Sequence, residues 1–327
     1  MCSLFCWRKS IDTSTQSPGF PIVPNEQLGD ALETRYLEDT LLYSCLCQHK
    51  YGDAVDVINR RQMNDIEAMN SFRTIVNGRY LLHMCVKEGS EGVERVIEAC
   101  LQAGADIDCK DFHGHTPLTL ACLLGKASII EFLLAHNANS CASTKSGETA
   151  LHMLCYATCN KPDIADKLIK YGANIDAVDN DGNSVLHICA WLNQYDLISY
   201  FVEKGCSMNA CNKQWRTPLM VATSCSNSRS HVVSTLLELD ASVDDTDCNG
   251  MNAFVLAAGR YPNAGEEILY LLAKKGIDIY ATGNVRHFDI SFLLISFSYL
   301  VPHLTGWVNG TRHSTSKIYE TRAIRCN

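Results

Sequence analysis

Apolar residues recur along this chain in paired short blocks set apart by polar turns. One pair runs Pro117-Leu118-Thr119-Leu120-Ala121, then Ile129-Ile130-Glu131-Phe132-Leu133-Leu134, and closes on the polar His136-Asn137-Ala138-Asn139. Blocks of this length with polar punctuation predict two short helices joined by a turn. The same order returns at Gly147–Asp176 and Gly182–Cys189, and again from Trp215 to Ala222. A weaker copy opens at Gly250, and upstream Gly78–Cys85 fits well while Thr40–Cys45 fits loosely. Marking each copy at the residue before the first helix gives positions 40, 80, 116, 149, 184, 217 and 252. The steps are therefore 33 to 40 residues, which is the signature of a repeat array.

Local chemistry agrees with that reading. Thr116 and Thr217 stand before Pro117 and Pro218, so each can cap open N–H groups while proline at the first helical position loses no hydrogen bond. Small side chains at Cys85, Ala121, Cys189, Ala222 and Ala257 let the two antiparallel helices of a unit approach closely. Gly104, Gly172, Gly205 and Gly276 close the second helices, where a left-handed backbone suits glycine. The Asp/Asn-rich stretches 106–111 and 174–181 form the turn into the next unit. One unit cannot bury its apolar face alone, so neighbours must stack.

These residues resemble the ankyrin repeat, whose unit of about 33 residues carries a Thr-Pro-Leu-His-x-Ala core. The resemblance covers roughly residues 33 to 280. It implies an all-α solenoid of six to seven stacked helix–turn–helix units with β-turn or hairpin tips. It also implies that His83, His152 and His187, in the repeat's own histidine position, hydrogen-bond between repeats. The expected division is a disordered tail over 1–27, a degenerate capping repeat and loop over 28–77, the repeat array over 78–283, and a divergent segment over 284–327.

Charge narrows the partner. The chain carries 28 Lys and Arg against 36 Asp and Glu; five of the former and two of the latter follow residue 283, so the first 283 residues hold a net −11. An acidic body argues against nucleic acid, which needs clustered cations. It permits a basic protein partner, or serves solubility alone. The 17 cysteines are an odd number, and many stand where a helix wants a small apolar residue. That predicts free thiols in a reducing, cytoplasmic setting, because free Cys packs as a small hydrophobe.

The chemistry of sites is sparse. His152, Cys155 and Cys159 lie close together, yet no second ligand set appears at zinc spacing, so no metal is expected. Neither a phosphate-binding glycine loop nor a nucleophile elbow nor a kinase motif is present. The expectation is a monomeric, non-enzymatic protein-binding scaffold or adaptor without a cofactor. The alternative is a regulatory fragment of a larger protein, such as a ubiquitin-ligase substrate receptor or an ankyrin-fronted membrane enzyme, lacking its effector domain.

In ankyrin proteins the turn tips and the exposed side of the first helix form a concave binding surface. Carrying those positions over gives Phe112, His113, His115, Leu123 and Leu124 in one repeat. The next two give Lys145, Glu148 and Tyr156, then Asn180, Asp181, Asn183, Trp191 and Leu192. Lys213, Gln214, Arg216 and Trp215 follow, with Trp215 in the usual glycine position, and Arg260 and Tyr261 complete the set. One aromatic per repeat (Phe112, Tyr156, Trp191, Trp215, Tyr261) would then line one side of an acidic-bodied groove, and aromatics with Arg are what binding hot spots are made of. The competing reading packs some of them, Trp191 above all, as core. Extra residues near 158–159, 226–227 and 261–263 lengthen loops at the rim of this groove.

The two ends are less regular. Met1–Lys9 sets Cys2 and Cys6 among apolar residues beside Arg8 and Lys9; S-acylation of both would anchor the chain at a membrane, and the alternative is a tail with incidental cysteines. Cys2 after the initiator Met excludes myristoylation. Residues 290–301 are apolar but too few to span a bilayer. They read as a capping helix, or as the end of a truncated or alternatively spliced product.

Overall fold

A computed structural model describes residues 42, 44–60, 81–157, 162–224, 230–259 and 266–277. Within them thirteen helices follow one another as α1 (Tyr51–Arg60), α2 (Leu81–Glu88), α3 (Val93–Gln102), α4 (Pro117–Leu124), α5 (Ala127–Ala135), α6 (Ala150–Tyr156) and α7 (Pro162–Lys170). They continue as α8 (Val185–Leu192), α9 (Tyr195–Glu203), α10 (Pro218–Thr223), α11 (Ser230–Glu238), α12 (Ala253–Ala258) and α13 (Glu266–Lys274). The even-numbered helices are the first of each unit. The odd-numbered helix after each folds back on it. The expected all-α solenoid is what forms.

The helix starts are built as the sequence predicts. Thr116 is extended (φ −84°, ψ 164°), its hydroxyl accepts the Thr119 N–H, and Pro117 begins α4. Thr217 and Pro218 repeat the arrangement on α10. The second helices end on left-handed glycines at Gly104, Gly172, Gly205 and Gly276, with φ between 86° and 91°. In this closure the residue after the glycine reaches back to the helix: Ala105 N–H to Cys100 O (3.0 Å) and Ala173 N–H to Leu168 O (2.9 Å).

First helices stack α2 on α4, α4 on α6, α6 on α8, α8 on α10 and α10 on α12. This continuous row of first helices is the side that the ankyrin resemblance makes concave. Each first helix is buried along most of its length; in α8, Val185 through Ala190 are all inaccessible. Cys85, Cys122, Cys155 and Cys189 are fully buried there, as small hydrophobes should be. Ahead of α1, Leu42, Cys45 and Leu46 are buried against the same core, which the N-terminal unit thereby extends.

Hairpin tips project from the stack and are tied into a ladder. Lys145 N–H donates to His113 O (3.0 Å), Asn180 N–H to Ser146 O (2.9 Å), Lys213 N–H to Asp181 O (2.9 Å) and Cys248 N–H to Gln214 O (3.0 Å). In one of these tips Thr144 Oγ1 accepts from the Glu148 N–H. In the others a carboxylate or amide gathers two turn N–H groups: Asp111 Oδ1 accepts from His113 and His115, Asp179 Oδ1 from Asp181 and Asn183, Asn212 Oδ1 from Gln214 and Arg216. Asp247 serves the last tip likewise.

Candidate functional site

On the first-helix side, accessible side chains stand on the tips and at the far ends of the first helices. Each first helix begins directly after its tip, so these two zones lie a helix length apart, about 12 Å for eight residues. The single row of aromatics expected from the sequence divides between them. Phe112 and Trp215 sit on tips and are 66% and 65% exposed. Tyr156 and Trp191 sit in the last turns of α6 and α8, half-buried. Arg260 and Tyr261 lie outside the described residues, as do the loop insertions, Cys2, Cys6, Cys159 and the terminal segments.

The helix-end zone is apolar. Leu123, Leu124, Tyr156 and Leu192 come from three successive repeats, each packed on the core with one side left accessible. Trp191, next to Leu192 in the last turn of α8, is half-buried. Tyr156 runs back along α6, as helical side chains do, and donates to Glu148.

Several residues expected on the surface turn inward. His115, Glu148 and Asn183 are 4%, 3% and 1% exposed. The reason is the turn geometry: the side chain that opens each tip captures the amide of the residue just before the helix cap, Asp111 that of His115, Thr144 that of Glu148 and Asp179 that of Asn183, and this holds the captured residue against the stack. Glu148 accepts from Ser146 Oγ (2.6 Å) and from Tyr156, and burial raises its carboxyl pKa against both bonds. Asn183 Oδ1 accepts from Asn212 Nδ2 at 2.9 Å. Arg216 is half-buried, and its Nε and Nη2 both reach Asp247 Oδ2 at 3.2 Å, so its charge is spent between repeats. Asn180, Asp181, Lys213 and Gln214 remain exposed, and His113 is half-buried.

The acidic groove expected from the net charge is also corrected. The tip carboxylates Asp111 and Asp247 and nearby Glu148 are buried. Exposed carboxylates stand instead on the second helices: Glu98, Glu131, Asp163, Asp166, Asp196 and Glu203. Several pair with a neighbouring repeat, as in Glu131–Lys167 and Asp166–Lys204. Lys145 keeps its charge outward, with Nζ 4.5 Å from the Phe112 ring centre. This tip contact joins consecutive repeats and had no signal in the sequence beyond the register of the two residues.

The histidines act between repeats. Thr149 N–H donates to His152 Nδ1 (3.2 Å), so Nε2 carries the proton and donates to Asn183 O (3.1 Å). Ser184 N–H and Arg216 O hold His187 in the same tautomer, at 3.1 and 2.8 Å. His83 Nε2 meets His115 O at 2.7 Å. Both ring nitrogens of His152 are thus committed to the fold rather than to a metal. Burial lowers the pKa of His152 and His187, partly opposed by the carbonyl each one donates to and by Asp179.

Known proteins match this arrangement. The family model "Ankyrin repeats (3 copies)" fits residues 41–144, 82–179, 136–212 and 186–282. Ankyrin repeat protein OPG189 of Variola virus is 32% identical over 155 residues, 45% of this chain and 26% of the viral protein. SH3 and multiple ankyrin repeat domains protein 2 of Homo sapiens is 28% identical over 166 residues, 48% of this chain and 9% of that protein. E3 ubiquitin-protein ligase KEG of Arabidopsis thaliana is 27% identical over 224 residues, 65% of this chain and 13% of the ligase. The match therefore spans about a quarter or less of the length of each of these three relatives. No helix among the described residues is long and apolar enough to cross a membrane.

Proposed function

This chain belongs to the ankyrin-repeat family, a family of protein-interaction modules, and we infer that it works as a non-enzymatic scaffold or adaptor holding one partner protein against the concave, first-helix side of the stack. The observation that carries this is the exposure of Phe112 and Trp215 on tips whose backbone is otherwise locked into a hydrogen-bonded ladder. Large apolar side chains held rigidly in water suit a covered surface. The half-buried apolar helix ends, Leu123 through Leu192, would form its floor. Affinity capture with the full chain tests this against a double Trp191→Ala, Trp215→Ala variant of unchanged helical circular dichroism. Loss of specific partners is the expected result. An identical set of partners would overturn the reading.

A second reading, recognition on behalf of an effector domain elsewhere, is favoured by one observation. The plant ubiquitin ligase that the chain resembles is matched over 13% of its length. A longer transcript continuing in phase after residue 283 supports it, and a principal product ending at Asn327 opposes it.

A further inference from the structure

Trp215 occupies a backbone position that the other tips reserve for glycine. Gly114, Gly147, Gly182 and Gly250 have φ of 83°, 82°, 80° and 74°, and Trp215 has 59°. The space there is tight as well: a Cβ at Gly114 would stand 2.5 Å from Lys145 N, and one at Gly147 would stand 2.6 Å from Asn180 Oδ1. The other non-glycine residues of positive φ among those described are His49, Asn137, Asn193 and Asp240, types that tolerate it. A tryptophan does not. It gains little burial in return, being 65% exposed. The turn bond that fixes this backbone, Trp215 N–H to Asn212 O at 2.8 Å, is one that glycine makes equally well, as Gly114 does to Asp111 O, so the choice of tryptophan points to a contact made outside the chain.

Charge at the tips says what kind of contact. The tip carboxylates are turned inward to gather turn N–H groups, while Lys110, Lys145 and Lys213 stay exposed, opposed on the tips by Asp181. Asp179 is half-buried at its turn, and Asp106, Asp108, Asp176, Asp244 and Asp245 lie on the hairpin arms behind the turns. Of the two exposed tip aromatics, Phe112 has Lys145 Nζ over its ring, and Trp215 follows Lys213 by two residues in the same tip. Phe112 and Trp215 are three repeats apart. At about 10 Å between packed helices they stand roughly 30 Å apart, which an extended chain rising about 3.3 Å per residue covers in roughly nine residues.

We propose that the tip ridge binds an extended acidic segment of a partner protein, carrying two apolar anchors roughly nine residues apart, with Trp215 and Phe112 receiving the anchors and Lys145 and Lys213 the intervening carboxylates. The proposal rests on the scaffold reading above and names the partner's chemistry. Its test is selection of a phage-displayed random 12-residue peptide library on the full chain, followed by titration of the best synthetic peptide. Asp and Glu are enriched in the selected sequences, binding weakens as salt rises, and Trp215→Gly weakens it at least ~10-fold, the scale of a binding hot spot. Trp215→Gly replaces a strained residue by the one the other tips use, so its melting temperature is equal or higher. Trp215→Asn serves as a second variant that tolerates the same backbone. Lys145→Glu with Lys213→Glu also weakens binding. Basic or uncharged selected peptides, binding indifferent to Trp215→Gly, equal competition by a DNA oligonucleotide, or no selected peptide at all would each overturn the proposal. Peptides whose binding depends on Leu123 or Trp191 instead would do so while leaving the scaffold reading in place.

Discussion

A buried histidine that accepts from its own helix cap and donates to the next repeat can do both only while neutral. Protonating Nδ1 of His152 or His187 would set its new hydrogen against the Thr149 or Ser184 N–H. Both pKa values are lowered in the fold, so the unfolded chain takes up the proton first and stability falls with acidity. The loss begins as pH drops through the unfolded histidine value of about 6.5 and reaches its limit below the folded pKa. Each tenfold difference in proton affinity between the unfolded and folded chains contributes about 1.4 kcal/mol to it. Denaturant melts at pH 7.5 and 5.5 check this, with His187→Gln reducing the difference. Glu148 works in the opposite sense. Its raised pKa means that ionising it costs stability as pH climbs through the carboxylate range, so Glu148→Gln is expected to stabilise at neutral pH, read as a higher denaturation midpoint. Trp215→Gly is expected to gain roughly 0.5–1 kcal/mol, since relief of left-handed strain exceeds the entropy that glycine loses.

At the level of the helix, the caps and the buried thiols give the clearest expectations. Thr116 takes part in a reciprocal pair with Thr119, and Thr116→Ala should cost about 1 kcal/mol in a urea titration. Cys85, Cys122, Cys155 and Cys189 fill interior slots between stacked first helices; the side-chain hydrogen bond with Cys100 and then burial raise the thiol pKa of Cys85, and burial raises those of Cys122 and Cys189. Cys47, Cys141, Cys211 and Cys248 are exposed. Alkylation of the native chain followed by peptide mass spectrometry should therefore label the second group within minutes and leave the first unlabelled until denaturant is added. The helices themselves were legible in advance, because Thr-Pro starts, glycine stops and a 33-to-36-residue period are all local signals. The inward turn of His115, Glu148 and Asn183 was not, because it depends on how the tip amides are gathered and on the neighbouring tip. The aromatic row failed as one line for a related reason: sequence register places Phe112 and Tyr156 one repeat apart, but one belongs to a tip and the other to the far end of a helix.

For the molecule as a whole, the array is a sum of similar interfaces with two chemically distinct sides. The second helices carry most of the exposed acid, and the tips carry aromatics and lysines. Net charge alone suggested an acidic groove; the distribution reverses that because the tip carboxylates are consumed as turn acceptors. Trp215 in the glycine register was visible in the sequence, whereas its retained strain needed the backbone. A partner seated on the tips and the first-helix side would shield those amides and leave the opposite side of the stack open. Amide hydrogen exchange of the full chain, with and without a captured partner, reads this out residue by residue. Slowed exchange is expected at 112–115, 145–148, 180–183 and 213–216, with α5, α7 and α9 unchanged. Protection confined to those second helices, with the tips unaffected, would contradict it.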